Sequence, residues 1–256
     1  MLIDTHCHLD FEQFNNDRSQ VIQRAIENKI EYIINVNSDI ACAGILKDLA
    51  EQNHNIYFTL GHHPHYAEKF NRAILEEIKP FFNHNKLVAI GEIGLDYYRN
   101  LSKKDNQEIV FREFISLSKV LLLPLIIHCR ESENEVFEIL NKEFDNFSKI
   151  VFHCFSASQD FLSKCLAKDA MFSFTGNITY PNAFRIRELV NNIPIEKIMI
   201  ETDAPFLPPQ QMRGKRNEPS YVHFVAQEIS RIKNITFEEV SKQTSYNARK
   251  FFKLGS

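Results

Sequence analysis

The 256-residue chain has no tryptophan, and its five cysteines, Cys7, Cys42, Cys129, Cys154 and Cys165, are an odd number at irregular spacing. That excludes a regular disulfide framework, and no CxxC pair marks a zinc site; the thiols are expected to be reduced. Long apolar runs are also missing. The longest, "VLLLPLII" at 120–127, falls far short of the roughly 20 residues that span a bilayer. The first residues lack the basic start and apolar stretch of a signal peptide, so a soluble, cytoplasmic protein with no membrane role is expected. Positive charge is not in excess: 30 Lys and Arg face 33 Asp and Glu, for a net charge of -3. General attraction to nucleic acid is thereby excluded, and any phosphate binding must be local. No Gly/Ser linker, short repeat or low-complexity segment divides the chain, and residues 1–256 are read as one domain.

What the sequence does contain is a regular alternation of apolar, β-branched runs with segments of helical period. The runs lie at 2–8, 31–37, 55–61, 87–94, 123–129, 149–155, 171–177 and 197–203. Helical segments are expected at 17–29, 39–52, 72–82, 103–121, 132–143, 158–168 and 182–191, with two more at 219–232 and 236–252. Continuously apolar strands are buried on both faces and need helical crossovers, which is the pattern of parallel sheets. With 44% hydrophobic and 25% charged residues, the length and alternation predict an α/β fold, a (β/α)8 TIM barrel. A doubly wound open sheet shares the alternation, since periodicity does not report closure.

Chemistry-bearing residues collect at the ends of these strands. In "DTHCHLD" (4–10), His6 and His8 lie two apart on a strand and face one way while Cys7 faces the other. A metal pair and two hydrogen-bonded structural histidines are the readings this motif allows. Glu92, His128, His153 and Asp203 stand late in the fourth, fifth, sixth and eighth strands. In a barrel those C-terminal ends converge on one mouth. Four imidazoles and two carboxylates are too many for one tetrahedral ion but suit two divalent ions bridged by a carboxylate, which points to hydrolysis. Cys7, Cys129 and Cys154 each follow a candidate ligand, so alternation makes them core residues, a thiolate role being the weaker reading.

Arg99, Arg130, Arg213, Lys215 and Arg216 follow strand ends and are candidates for gripping phosphate; a solvated loop or salt bridge is the alternative for "RGKR". His63 and His65 in "HHPH" are placed to hydrogen-bond a phosphate or leaving oxygen, or to build a turn around Pro64, and His62 is a weaker candidate. Tyr97, Tyr98 and Phe206 offer faces on which a terminal base can stack, or else pack the rim. Glu201 shares the strand face of Asp203, as a further carboxylate of the site or as a buried partner for a base deeper in the barrel.

In chain order, "DTHCHLD", "GHHPH", "GEIGLDYYR", "PLIIHCR", "FHCFS" and "ETDAPFLPP" followed by "RGKRNEP" resemble the signatures of TatD-type metal-dependent hydrolases, a branch of the amidohydrolase superfamily. "YNARKFF" at 246–252 resembles the family's C-terminal helix. The resemblance implies a TIM barrel and a binuclear metal hydrolase, usually a deoxyribonuclease acting as a 3′ to 5′ exonuclease on DNA or RNA 3′ ends. It implies that His6, His8, Glu92 and Asp203 hold one ion and Glu92, His128 and His153 the other, with Glu92 bridging. Glutamate at this position, in place of a carbamylated lysine, favours phosphodiester cleavage. Asp203 is then expected to orient or deprotonate the attacking water, with Glu92 and Glu201 as the other catalytic carboxylates. The departures, "CFSA" for a common "CFSG" and the extra His62, cost no ligand. The ion pair is open between zinc, manganese, iron and magnesium, and no obligate protein partner is indicated. A D-aminoacyl-tRNA deacylase is the nearest alternative. A lactonase or amidohydrolase, and a noncatalytic barrel scaffold, fit the residues less well.

Overall fold

Residues 1–255 are described by the computed structural model. Among them the apolar runs form eight strands: β1 (Leu2–Cys7), β2 (Ile30–Asn35), β3 (Ile56–Leu60), β4 (Leu87–Asp96), β5 (Leu125–Arg130), β6 (Ile150–Phe152), β7 (Met171–Phe174) and β8 (Ile198–Ile200). They make one sheet in the order β1 to β8. The helices between and after them are α1 (Arg18–Glu27), α2 (Ala43–Gln52), α3 (Ile74–Glu77), α4 (Lys104–Leu121), α5 (Glu133–Glu143), α6 (Gln159–Ala167), α7 (Phe184–Asn192), α8 (Val222–Lys233) and α9 (Phe237–Phe252). The architecture is the (β/α)8 barrel, as the alternation predicts. One expected element differs. In place of a helix over 72–82 stand the four residues of α3 and a 3₁₀ turn, Lys79–Phe81, because Pro80 removes a backbone donor where the helix would need it.

The backbone packs as two compact units. The first comprises Met1–Asn35, Cys154–Ser156 and the chain from Phe172 onward; the second comprises Val36–His153 and Ala157–Met171. In the first unit β1 pairs with β2 (Leu2↔Ile30, Cys7↔Asn35) and β7 with β8 (Phe172↔Ile198, Phe174↔Ile200), all parallel. The end of β1 also meets the chain just beyond β8 through a parallel bridge, Cys7↔Ala204. Ile3, Ile33, Phe172 and Phe174 are buried there. α9 opens with a capping box between Thr236 and Glu239, and its Asn247 donates to the carbonyls of Ile195 and Ile198 (2.9 and 2.7 Å), tying the helix to the entry of β8.

In the second unit β3, β4, β5 and β6 pair in parallel succession. β4 approaches β5 so closely that a Cβ on Gly94 would lie 1.9 Å from the carbonyl oxygen of His128, and Gly94 has φ +142°. Only glycine meets both demands without strain. The five cysteines are free, as expected. Burial raises the Cys7 thiol far above its ordinary range and pushes Cys129 up to about 12, which keeps both protonated.

Candidate metal centre

In the first unit, β1 delivers His6 and His8 from one face, buried, with their Nε2 atoms 3.2 Å apart. Asp203 Oδ1 lies 3.3 Å from His8 Nε2 and 3.7 Å from His6 Nε2. One donor atom from each of the three lies within 4.8 Å of the others, the spacing of a metal-ligand group. Asp203 stands on the loop after β8, where its N–H donates to His6 O (2.8 Å). Two residues before it, Glu201 is almost fully buried: one carboxylate oxygen accepts from Cys154 N (2.7 Å) and the other from Ser173 Oγ (2.5 Å). Both of its oxygens thus serve as internal acceptors.

In the second unit, Glu92 on β4 is the centre of a histidine cluster. Its Oε1 lies 2.8 Å from His128 Nδ1, 2.7 Å from His153 Nε2 and 3.3 Å from His63 Nε2. His63, Glu92 and His128 meet the same 4.8 Å criterion. Burial works to raise the Glu92 carboxyl, but the facing His153 and His63 and the hydrogen bonds to His128 and His153 hold it well below its usual range. Burial pushes His63 down to about 3, which leaves its imidazole neutral with a lone pair to give. Burial lowers His128 too, but hydrogen bonds to Asp96 and Glu92 outweigh that and raise it.

The other ring nitrogen of His128, Nε2, lies 3.2 Å from Asp96 Oδ2, and His65 Nε2 lies 2.8 Å from the same oxygen. Asp96 Oδ1 accepts from Arg99 N (2.7 Å), and the Gln107 side chain brackets the Asp96 backbone. Burial would raise this carboxyl; the bonds to His128, His65 and Arg99 lower it instead. A carboxylate behind a ligand histidine fixes ring orientation and basicity. Sequence reasoning passed over Asp96, although it lies four residues beyond Glu92 in "GEIGLD", on the same strand face. His63, expected as a substrate contact, lies with Glu92 and His128 in a group that could hold an ion.

The residues expected to grip substrate are less gathered. Arg99, Arg213 and Lys215 are exposed. The Arg130 guanidinium lies over the Tyr98 ring at 4.0 Å, and that of Arg213 over Tyr180 at 4.4 Å. Arg216 is committed to a half-exposed salt bridge: its Nη1 and Nη2 bond the two carboxylate oxygens of Asp17 at 2.8 and 2.7 Å, the alternative reading of "RGKR". Tyr97 packs under Lys104 Nζ (3.9 Å from the ring centroid), with its hydroxyl 3.4 Å from Glu108. Tyr98 is 56% and Phe206 45% exposed. Phe206 stands edge-on to Phe11 at 5.9 Å, and Phe11 stacks on His8 at 4.8 Å. His62 faces away from these groups, its Nε2 on Tyr66 O (2.9 Å) and its Nδ1 on Ile40 N (3.3 Å).

The donor sets fit divalent ions. Imidazole nitrogens and carboxylate oxygens converge in combinations that suit zinc, manganese or iron. Among the described residues, no helix is long and apolar enough to cross a membrane.

Comparison with known proteins agrees with this geometry. The family model described as "TatD related DNase" matches residues 3–253. The uncharacterized metal-dependent hydrolase YabD of Bacillus subtilis is 41% identical over 254 residues, covering 99% of this chain and 100% of its own. The 3'-5' ssDNA/RNA exonuclease TatD of Erwinia amylovora is 32% identical over 259 residues, with 99% and 100% coverage. Among solved structures, a TatD homologue from Escherichia coli K12 superimposes with a TM-score of 0.92 at 28% identity, covering 99% of this chain and 98% of that one.

Proposed function

Because the chain belongs to the TatD family of metal-dependent hydrolases, we propose that it is a deoxyribonuclease removing nucleotides from the 3′ end of single-stranded or frayed DNA, with RNA ends accepted by the same chemistry. The observation that carries this is the donor set: His6, His8 and Asp203 in one group, Glu92 with His63, His128 and His153 in the other. Strand C-terminal ends form the catalytic face of (β/α)8 barrels, which supports reading both groups as ion ligands, and Glu92 would be the carboxylate ligand beside His128 and His153. When bound, two divalent ions, zinc, magnesium or manganese, supply Lewis acidity and lower the pKa of water. The chain's own groups do the rest. Asp203 orients the attacking water and accepts its proton. Asp96 holds His128 in the orientation that presents Nδ1 to Glu92. Arg99, Arg130, Arg213 and Lys215 bind phosphate, while Tyr98 and Phe206 stack a terminal base.

The experiment is a time course with magnesium on a 5′-labelled single-stranded oligonucleotide, using Glu92→Ala and a 3′-phosphate-blocked substrate as controls. The expected result is a ladder shortening from the 3′ end that Glu92→Ala abolishes. If no ladder forms with magnesium, manganese or zinc, the phosphodiesterase reading fails, and release of D-amino acid from charged tRNA is the assay to run next.

A further inference from the structure

Asp203 is a candidate ligand carried on a loop. β8 ends at Ile200, and Asp203 has φ +57°, a left-handed conformation that residues with a side chain adopt uncommonly and that aspartate tolerates better than most. Two buried polar side chains, neither with a role in the reading above, brace the chain on either side of it. Asp4 on β1 accepts from Thr202 N through Oδ1 (2.9 Å) and from Thr202 Oγ1 through Oδ2 (2.6 Å). The Thr202 hydroxyl oxygen in turn accepts from Ala204 N (3.2 Å). From the far end of the same loop, Asn217 donates both protons of its amide, to Thr202 O (2.8 Å) and to Phe206 O (2.7 Å). Its own backbone N–H donates to Pro205 O (3.1 Å), and its Oδ1 accepts from Glu218 N (3.0 Å). Asp4 and Asn217 have no exposed surface.

One amide therefore grips the chain immediately before Asp203 and again three residues after it, while Asp4 grips it from the β1 side. Backbone bonds from Asp203 N to His6 O and from His8 N to Ala204 O, both 2.8 Å, dock the turn against the two histidines. Burying a carboxylate and an amide is costly unless every polar atom finds a partner, and an apolar pair would fill the same space at lower cost. What the polar pair adds is a fixed backbone direction at Asp203. Asn217 also closes the neck of the loop bearing Arg213 and Lys215, so one residue sets both the carboxylate and the base of the cationic loop.

We propose that Asn217 and Asp4 are positioning residues that hold Asp203 in register with His6 and His8 for binding a divalent cation. The proposal rests on reading that cluster as an ion site, and the test separates the two. Manganese and cobalt are titrated calorimetrically into wild type, Asn217→Asp, Thr202→Val, Asp203→Ala and Glu92→Ala, and the visible spectrum of the cobalt forms is recorded. Asn217→Asp keeps the shape but replaces the two N–H donors by an oxygen facing two carbonyls. Thr202→Val is near-isosteric, and it carries the test if Asn217→Asp does not fold. Both are expected to weaken one of the two ion-binding events by about 10- to 100-fold, to shift the cobalt spectrum as Asp203→Ala does, and to leave intact the event that Glu92→Ala removes. Wild-type binding in the folded variants, with one event lost in Asp203→Ala, overturns the positioning role alone. Undiminished binding in Asp203→Ala overturns the ion-site reading, and this inference with it.

Discussion

Replacing Asp96 by asparagine isolates the group that stands behind the histidine cluster. One oxygen of Asp96 faces the ring nitrogens of His128 and His65 at 3.2 and 2.8 Å, and the other accepts from Arg99 N at 2.7 Å. Asparagine has a single acceptor oxygen. If that oxygen stays on Arg99 N, the amide NH2 is turned toward two imidazole N–H groups; if it flips, Arg99 N is left facing a donor. Hydrogen bonds to a charged group contribute about 1.5–3 kcal/mol against about 1 kcal/mol for neutral ones. The loss at His128 is therefore about 0.5–2 kcal/mol, roughly a 2- to 30-fold change in any equilibrium that needs this ring in place. The expected outcome is weaker manganese binding by calorimetry and a matching fall in kcat/KM on a single-stranded oligonucleotide, with near-UV circular dichroism unchanged. Wild-type values for both would refute the view that Asp96 orients His128.

The contribution of His63 to the pH dependence of the metal-free protein has a defined sign. Burial holds His63 down at about 3 against 6.5 for the free group, so between those values the unfolded chain binds more protons and stability rises with pH. Asp4, whose carboxyl burial pushes up to about 8, contributes with the opposite sign over this range, so the comparison is with the variant: from pH 7 to 4 the denaturant midpoint should lose more in wild type than in His63→Asn, and parallel slopes would contradict the assignment. Gly94→Ala would put a methyl 1.9 Å from the His128 carbonyl at φ +142°, and a cost of about 2–4 kcal/mol in folding stability is expected, read as a lower Tm. Arg213→Ala should raise KM for an oligonucleotide and reduce its salt dependence with little change in Tm. Arg216→Ala, losing the two-pronged bond to Asp17, should instead lower stability by up to about 1 kcal/mol; the reverse pattern would reassign both.

The strands were legible because most are short runs of apolar, β-branched residues, set off by longer segments of helical period. Their ends were less so. The runs at 149–155 and 197–203 continue past Phe152 and Ile200, but Cys154 and Asp203 take positive φ values of 45° and 57° and leave the ladder. Apolar patterning has no term for that departure, which is imposed by partners elsewhere in the chain. The helix expected at 72–82 failed for a local reason that was visible, Pro80, whose missing N–H outweighs a favourable pattern around it.

The same division runs through the site. His6, His8, Glu92 and His128 are set by strand geometry, so their spacing in sequence already tells which way they face. The turn that carries Asp203 is held through its neighbours Thr202 and Phe206 by Asp4 and Asn217, and His128 is oriented by Asp96; each of these relations joins residues whose pairing only the fold supplies. A carboxylate such as Asp4 or Asp96 reads in sequence as one more acidic residue beside a motif. Its meaning comes from complete burial together with the donors that converge on both of its oxygens. Ligands can therefore be read from spacing on strands, whereas the residues that keep those ligands in place are recognised by asking, for every buried polar atom, where its hydrogen bond goes.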